Sequence, residues 1–193
     1  QFLRNERAKL MQSLPDRRRA VFEAQCEEKL GWVEDYELGH GEAMEHFNNA
    51  GTILDNNIER RSFTGKERNL FSTTRHFLGR QRYFLARLGI DRENNRTCAI
   101  NCFREALDLD ESYEGIDKNG KLGFSHAWIA RCHMLNRDMT QTQNAIALAG
   151  DYFRRQMELT PKRGGYLAHQ HLLEGERDIY NGLTQSAREH YME

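Results

Sequence analysis

Cysteine and histidine are the residues whose types and spacing in this chain come nearest to a chemical site. Cys98-x3-Cys102 places two thiols one helical turn apart, and Cys132-His133 offers two more groups that could bind a metal ion. Structural zinc sites use cysteine pairs of the C-x2-C kind, and the sequence contains no such pair. Cys98 and Cys102 flank an apolar helix face, where a free cysteine behaves as a small hydrophobe. We therefore expect neither a metal ion nor a cofactor.

The histidines and the common catalytic motifs lead to the same expectation. His169-x-His171 lies in a helical segment, so the two rings point about 200° apart and cannot share a metal ion. His76, His126 and His133 are isolated in the sequence. The chain contains no H-E-x-x-H, G-x-S-x-G or G-x-G-x-x-G motif and no Walker loop. We expect a protein that is not an enzyme.

The composition indicates an all-helical protein with a large surface. For 193 residues, a hydrophobic content of 38% and a mean hydropathy of −0.83 are low for a compact globule and suit a repeat array. Two prolines and little alternation of β-branched residues argue against a sheet. No apolar run approaches the ~18 residues of a membrane span, so we expect no membrane partner. The four scattered cysteines favour a cytoplasmic protein with reduced thiols.

Charge is strongly segregated along the chain, although the net charge is only −1. Residues 23–59 carry ten acids against one base, and residues 105–117 carry six acids and no base. Between them, the basic belt (Arg60–Arg104) carries eleven bases against three acids. Of the 28 basic residues, 22 are arginine, the side chain suited to paired hydrogen bonds with carboxylate or phosphate.

One helical pattern occurs twice and organises the rest of the chain. Ala99, Phe103 and Ala106 are spaced i, i+4 and i+7, so a large ring lies between two small residues on one helix face. The same A-x3-F-x2-A pattern begins at Ala43, and Gly31 stands on the predicted helix that precedes it. These residues indicate paired helices that pack closely.

The pattern resembles the tetratricopeptide repeat (TPR), a helix–turn–helix unit of about 34 residues, with degenerate repeats here. The interval from Gly31 to Ala43 matches the one between the glycine and the second-helix alanine of that family. The resemblance implies an all-α solenoid of about four helix pairs in one domain, 1–193, preceded by an N-terminal helix at 2–14. The expected units are 16–57, 72–111, 124–161 and 166–193. Because the chain starts without methionine and ends inside a predicted helix, we expect it to be part of a longer protein.

Two of the four units depart from the expected spacing. The interval from Gly79 to Ala99 is longer than the pattern allows, which predicts either longer helices or a protruding polar loop at that turn. In the third unit, Asn136 stands near the glycine position before Ala149, offset by one residue. We expect a loop at residues 112–123 and a basic connector at residues 58–70.

The resemblance also implies a partner-binding surface, because the first helix of each TPR pair lines a concave groove. The exposed stripe on each first helix is obtained by counting from the glycine position. The candidate groove residues are Trp32, Asp35, Tyr36, His76, Arg80, Tyr83, Phe84, Arg87, His133, Arg137, Glu176 and Tyr180. Aromatic rings beside arginines and acids are typical of a peptide-binding surface. The alternative is that Trp32, Tyr36 and Phe84 pack between repeats.

Three functional hypotheses follow from these residues. The first is a non-catalytic scaffold for protein–protein interaction, which holds a peptide or helix of a partner and uses Arg80 to anchor a carboxylate. The second is an RNA- or nucleic-acid-binding repeat, in which the basic belt contacts phosphates while Tyr83 and Phe84 stack on bases. The third is a ligand-sensing regulatory domain of a longer protein. The near-zero net charge favours the protein partner.

Overall fold

The computed structural model describes residues 15–161 and 165–192, and all regular structure within those ranges is helical. The elements are α1 (Asp16–Tyr36), α2 (His40–Asn57), a 3-10 turn (Arg60–Ser62), α3 (Gly65–Arg87), α4 (Arg92–Glu111), α5 (Lys118–Leu135), α6 (Met139–Leu159), α7 (Gly165–Tyr180) and α8 (Thr184–Met192). The prediction of an all-α protein is confirmed. The helix predicted at 2–14 lies outside the described residues.

The helices pack in the order in which they occur along the chain. The most extensive contacts join α1 with α2, α3 with α4, and α5 with α6, and each pair then contacts the next. The odd-numbered helices also contact one another in succession, from α1 to α3, α5 and α7. This second set of contacts places the four odd-numbered helices side by side, so that their outer faces can form one surface.

Three glycines of the odd-numbered helices each lie against a fully buried phenylalanine ring of the helix that follows. The pairs are Gly31–Phe47, Gly79–Phe103 and Gly123–Phe153. A Cβ atom added to any of these glycines would lie 2.6–2.9 Å from a ring carbon, closer than van der Waals contact allows. The absence of a side chain at these positions is what allows each ring to reach the backbone of the neighbouring helix.

Several predicted loops are helical, because the helices begin earlier than expected. Helix α3 starts seven residues before Ser72, where Thr64 and Glu67 form a capping box: the Glu67 amide donates to Thr64 Oγ1 at 3.3 Å, and the Thr64 amide donates to Glu67 Oε2 at 2.6 Å. Helix α4 starts at Arg92, so longer helices take up the extra residues after Gly79. Helix α5 likewise starts at Lys118, within the predicted loop.

The glycine of α5 that packs against the ring of Phe153 is Gly123, whereas the sequence pattern places Asn136 near that glycine position. Asn136 follows the last turn of α5, and the next residue, Arg137, has a left-handed backbone conformation with φ of 56°. The stretch of sequence between Gly123 and Phe153 is much longer than that between Gly31 and Phe47. A search that assumes the same interval between the glycine and the second-helix alanine in every unit therefore selects the C-terminal end of α5 instead of Gly123.

Candidate functional site: an aromatic and basic groove

A cavity of ≈ 560 Å³ lies where α3, α5 and α7 meet, and we call it the groove. Its lining combines aromatic rings with arginines: His76, Phe77, Arg80, Tyr83, Phe84, Arg87, Phe124, Trp128, Arg131, His169, Leu172 and Glu176. Six of these residues belong to α3, and a cavity of this size is within the range that holds small ligands or a few peptide side chains. The groove is therefore on the surface formed by the odd-numbered helices.

Arg80 lies between two aromatic rings on the wall of the groove. Its guanidinium carbon is 4.8 Å from the centroid of Phe77 and 5.4 Å from that of Trp128. These distances are those of cation–π contacts. Arg80 Nη2 is also 3.6 Å from Asp35 Oδ2, so the charge of this arginine is already partly offset within the fold. The side chain has a structural role in addition to any role in binding.

Asp35 belongs to a polar chain that joins α1 to α3 behind this wall. Gln81 Nε2 donates to Asp35 Oδ1 at 2.7 Å, and Gln81 Oε1 lies 2.8 Å from His40 Nδ1. The ring of His40 stacks on Phe84, with 4.6 Å between centroids. Asp35 therefore accepts hydrogen bonds within the fold and holds the aromatic wall in position.

Arg131 joins the other two helices of the groove. Its Nε donates to Glu176 Oε2 at 2.7 Å, and its guanidinium lies 4.7 Å from the ring centroid of Trp128. Trp128 is thus within cation–π distance of both Arg80 and Arg131. Its ring also makes an edge contact with Tyr83 at 5.3 Å. This arrangement supplies an apolar surface with two positively charged groups beside it.

Burial sets the protonation of the titratable groups in the groove. Burial, followed by the nearby charges of Arg80 and Lys121, lowers the pKa of His76 to about 3, so this imidazole is neutral at pH 7. Burial raises the pKa of Tyr83 to about 12. Burial also lowers the pKa of Arg80, an effect that Asp35 opposes. A general base works best with a pKa near the operating pH, so His76 is unsuited to that role.

The structure brings half of the predicted residues together in the groove: His76, Arg80, Tyr83, Phe84, Arg87 and Glu176. Two others line neighbouring cavities that share residues with it. Trp32 lines a cavity of ≈ 250 Å³ beside His76, and Tyr180 lines one of ≈ 240 Å³ beside Arg87. Asp35 lies behind the groove wall, within reach of Arg80.

The remaining three predicted residues lie elsewhere. Tyr36 ends α1 and is 90% exposed. His133 is near the end of α5, and Arg137 belongs to the turn after it. Both His133 and Arg137 were selected by counting from Asn136, and the corrected glycine position explains why neither is in the groove.

Six groove residues are absent from the predicted set: Phe124, Trp128, Arg131, His169, Phe77 and Leu172. A local signal could have found the first two. The dipeptide Leu-Gly precedes the stripe in the first two units, at Gly31 and Gly79, and it occurs again at Gly123, although Gly39 and Gly89 between the helices also follow a leucine. In the first two units, predicted groove residues stand one and five positions after the glycine. The same positions after Gly123 are occupied by Phe124 and Trp128. The two residues His169 and Arg131 carry no comparable signal.

The basic belt does not form one continuous positive surface among the described residues. Arg60 pairs with Asp55 at 2.6 Å, and Arg75 contacts Asp55 at 3.2 Å and Glu105 at 2.9 Å. These contacts join the belt to the acidic segments on either side of it in sequence. The positive charge of the belt is therefore partly neutralised by acidic side chains in the folded protein, which makes the belt less suited to binding phosphates.

Comparisons with known proteins leave the family of this chain open. No protein-family model matches the sequence, and no curated protein matches it either. None of the described helices combines the length and apolar character that crossing a lipid bilayer requires. The groove and its chemistry are therefore the basis on which a function is assigned, and the TPR resemblance stays a prediction.

Proposed function

We propose that this protein is a non-catalytic binding scaffold, which holds an acidic peptide segment of a partner protein in the groove. The observation that carries the proposal is the contact of the Trp128 ring with both Arg80 and Arg131, with Arg87 exposed on the same groove. Aromatic rings supply desolvated apolar area, and guanidinium groups bind carboxylates through paired hydrogen bonds.

The proposal includes a TPR-like arrangement of the helices. Its support is the repeated contact of a glycine on each of α1, α3 and α5 with a phenylalanine on the next helix. The succession of contacts among α1, α3, α5 and α7 is what a solenoid built of helix pairs would have. In such an array, the groove would be on the concave side, where the first helices of the pairs face the partner.

The charges of the groove favour an acidic ligand over a basic one. Glu176 already accepts a hydrogen bond from Arg131, and Asp35 accepts one from Gln81. Arg87 is exposed and lines both the groove and the neighbouring cavity at Tyr180. An incoming carboxylate would therefore meet a positive group at Arg87, whereas an incoming base would meet acids that have internal partners.

An extended peptide fits the shape of this surface better than a small molecule. The cavities at Trp32 and Tyr180 share lining residues with the groove on its two sides. An extended chain rises about 3.3 Å per residue and presents side chains to alternate faces. Such a segment could place alternate side chains, at i, i+2 and i+4, in the three neighbouring cavities.

A random-peptide selection tests this proposal while the partner is still unidentified. The full chain would be immobilised and exposed to a displayed library of ten-residue peptides. We expect the recovered peptides to be enriched in Asp and Glu close to an aromatic or aliphatic residue. The chain with Trp128→Ala should lose this enrichment while its circular dichroism stays helical. Recovery of basic peptides, or of the same peptides by both proteins, would contradict the proposal.

A further inference from the structure

A cluster of metal-binding groups lies between α7 and α8, apart from the groove. His171 and Glu174 are three residues apart on α7, and His190 comes from α8. One ligand atom from each of these three residues lies within 4.8 Å of the other two. All three side chains are half-buried, so a bound ion would be partly shielded from water.

The distances within the cluster are close to those around a bound zinc ion. His190 Nδ1 is 3.5 Å from Glu174 Oε2, and His171 Nδ1 is 3.9 Å from the same oxygen. Zinc binds imidazole nitrogen and carboxylate oxygen at about 2.0–2.2 Å, which separates tetrahedral ligand atoms by about 3.4 Å. Because the three ligand atoms lie within 4.8 Å of one another, binding one ion requires side-chain rotations that bring them closer together.

Asp178 provides the second contact that an imidazole ligand requires. Its Oδ2 is 3.5 Å from His190 Nε2, on the side of the ring opposite to Glu174. Asp178 is only 1% exposed, and it accepts hydrogen bonds from Arg177 at 2.7 Å and from Ser186. A carboxylate in this position fixes the orientation of a metal-binding histidine and leaves its other nitrogen directed at the ion.

We propose that His171, Glu174 and His190 bind one divalent transition-metal ion of the zinc class, with Asp178 orienting His190. Two neutral imidazoles and a carboxylate are a ligand set that zinc accepts, with water in the fourth tetrahedral position. The ion joins two helices, and α8 has only nine residues. The bound ion would hold α8 against α7, and it would stabilise the folded protein because it binds the folded state.

The ligand set was missed in the sequence because its members are far apart. His171 was paired with His169, which is on another side of α7 and makes an edge contact with the ring of Phe124 at 4.9 Å. The actual neighbour, His190, belongs to a different helix beyond the turn that ends α7. Only the packing of α8 on α7 brings the two imidazoles together.

Titration with Zn²⁺ tests the proposal on the full chain after treatment with a chelator. We expect calorimetry to give one ion per chain, and we expect Co²⁺ to develop visible absorption bands at the same stoichiometry. His190→Ala and Glu174→Ala should each weaken Zn²⁺ binding by at least about tenfold. Asp178→Asn should weaken it by about 10- to 100-fold, the usual effect of removing a group that orients a ligand.

Two matched controls separate this site from other zinc-binding groups. His169→Ala removes an imidazole from the same helix, and Cys98→Ser removes the half-buried thiol. Both should bind Zn²⁺ as the parent does. The melting temperature of the parent and of both controls should rise with Zn²⁺, and that of His190→Ala should not.

Several results would overturn the proposal. Absence of Zn²⁺ binding by the parent would do so, as would parent-like binding by either His190→Ala or Glu174→Ala. Loss of binding in Cys98→Ser alone would assign the ion to the thiols instead. Circular dichroism of the metal-free variants checks their helicity, and His171→Ala serves as a third ligand variant if His190→Ala does not fold.

Discussion

The guanidinium of Arg80 can bind a carboxylate of a ligand, yet it already contacts other side chains of the protein. Counting from Gly79 selects Arg80, and the structure places this residue on the lining of the groove, half-buried. The contact with Phe77 is local, because that residue lies three positions earlier on the same helix. The contacts with Trp128 and Asp35 come from α5 and α1 and have no local signature. A charge reversal at Arg80 would therefore disturb packing as well as binding, and it is a poor test of function.

Arg17 and Glu67 form the ion pair with the clearest effect on the pH dependence of stability. Arg17 donates to both oxygens of Glu67, at 2.8 and 2.6 Å, and connects the start of α1 with the first turn of α3. The hydrogen bond from Arg17, opposed by burial and assisted by the Thr64 amide, lowers the pKa of Glu67 from 4.5 to about 2. Glu67 is thus charged at any pH above that value.

A glutamate with a lowered pKa stabilises the fold above its unfolded pKa, and this stability is lost as the pH falls. We therefore expect the free energy of unfolding to decrease between pH 4.5 and about 2 through protonation of Glu67. Glu67→Gln should remove this part of the decrease and lower the stability at pH 7. Urea denaturation at a series of pH values measures both effects.

Glu59→Gln is the matched control for that experiment. The pair of Glu59 and Arg61 is also a contact of 2.6 Å, but both of its side chains are largely exposed. Exposed ion pairs contribute little, so this variant should follow the pH profile of the parent. If Glu59→Gln and Glu67→Gln had the same pH profile, the burial of Glu67 would not be the reason for its effect on stability.

At the scale of the helices, the glycine–phenylalanine crossings are more regular than the sequence spacing suggests. The sequence separation of the glycine from its phenylalanine increases from the first pair to the third, yet each pair has the same close contact. A helix can gain turns beyond the crossing point without changing the contact itself. A fixed interval from glycine to alanine therefore found the first pair and missed Gly123. A Leu-Gly dipeptide occurs at all three glycines, but it also occurs at Gly39 and Gly89, which lie between helices.

Gly79→Ala tests the importance of such a crossing. The new Cβ would be 2.9 Å from Cε1 and Cζ of Phe103, which is itself fully buried between α3 and α4. Overpacking of this kind costs about 1–3 kcal/mol, and the helix propensity of alanine offsets up to about 1 kcal/mol of it, so we expect the free energy of unfolding to fall by up to about 2 kcal/mol. Chemical denaturation of parent and variant gives the difference directly.

Gly41→Ala is the control for the change of residue type. Gly41 is also helical, but a Cβ there would have no atom within 4 Å. Alanine favours the helix, so this variant should be as stable as the parent or up to about 1 kcal/mol more stable. Equal destabilisation by the two substitutions would mean that the contact with Phe103 is not responsible.

For the molecule as a whole, charge that is segregated along the sequence is brought together by the packing of the helices. The acidic segment 23–59 supplies partners to the basic belt through Asp35 and Asp55, and Glu105 supplies one from the other side. Composition was enough to predict the all-α fold and to locate the charged segments. It could not predict which charges are neutralised, because that depends on contacts between helices that are distant in sequence.

The pattern of neutralised charges offers a well-matched pair of arginines for testing the function. Arg87 and Arg104 both belong to the basic belt and are both exposed, but only Arg87 lines the groove. Reversal to glutamate changes the net charge of the protein equally in the two variants. A ligand attracted by the belt as a whole would respond to both changes, and a ligand held in the groove would respond to one.

The most direct test is the affinity of the parent, Arg87→Glu and Arg104→Glu for an acidic peptide recovered from the library, measured by fluorescence anisotropy. We predict that Arg87→Glu weakens binding by about 10- to 100-fold, the loss expected for a hydrogen bond to a charged group, and that Arg104→Glu stays within about twofold of the parent. Equal weakening by both variants would contradict binding in the groove. So would tight binding of a single-stranded RNA whose affinity falls steeply with salt and is reduced alike by the two reversals.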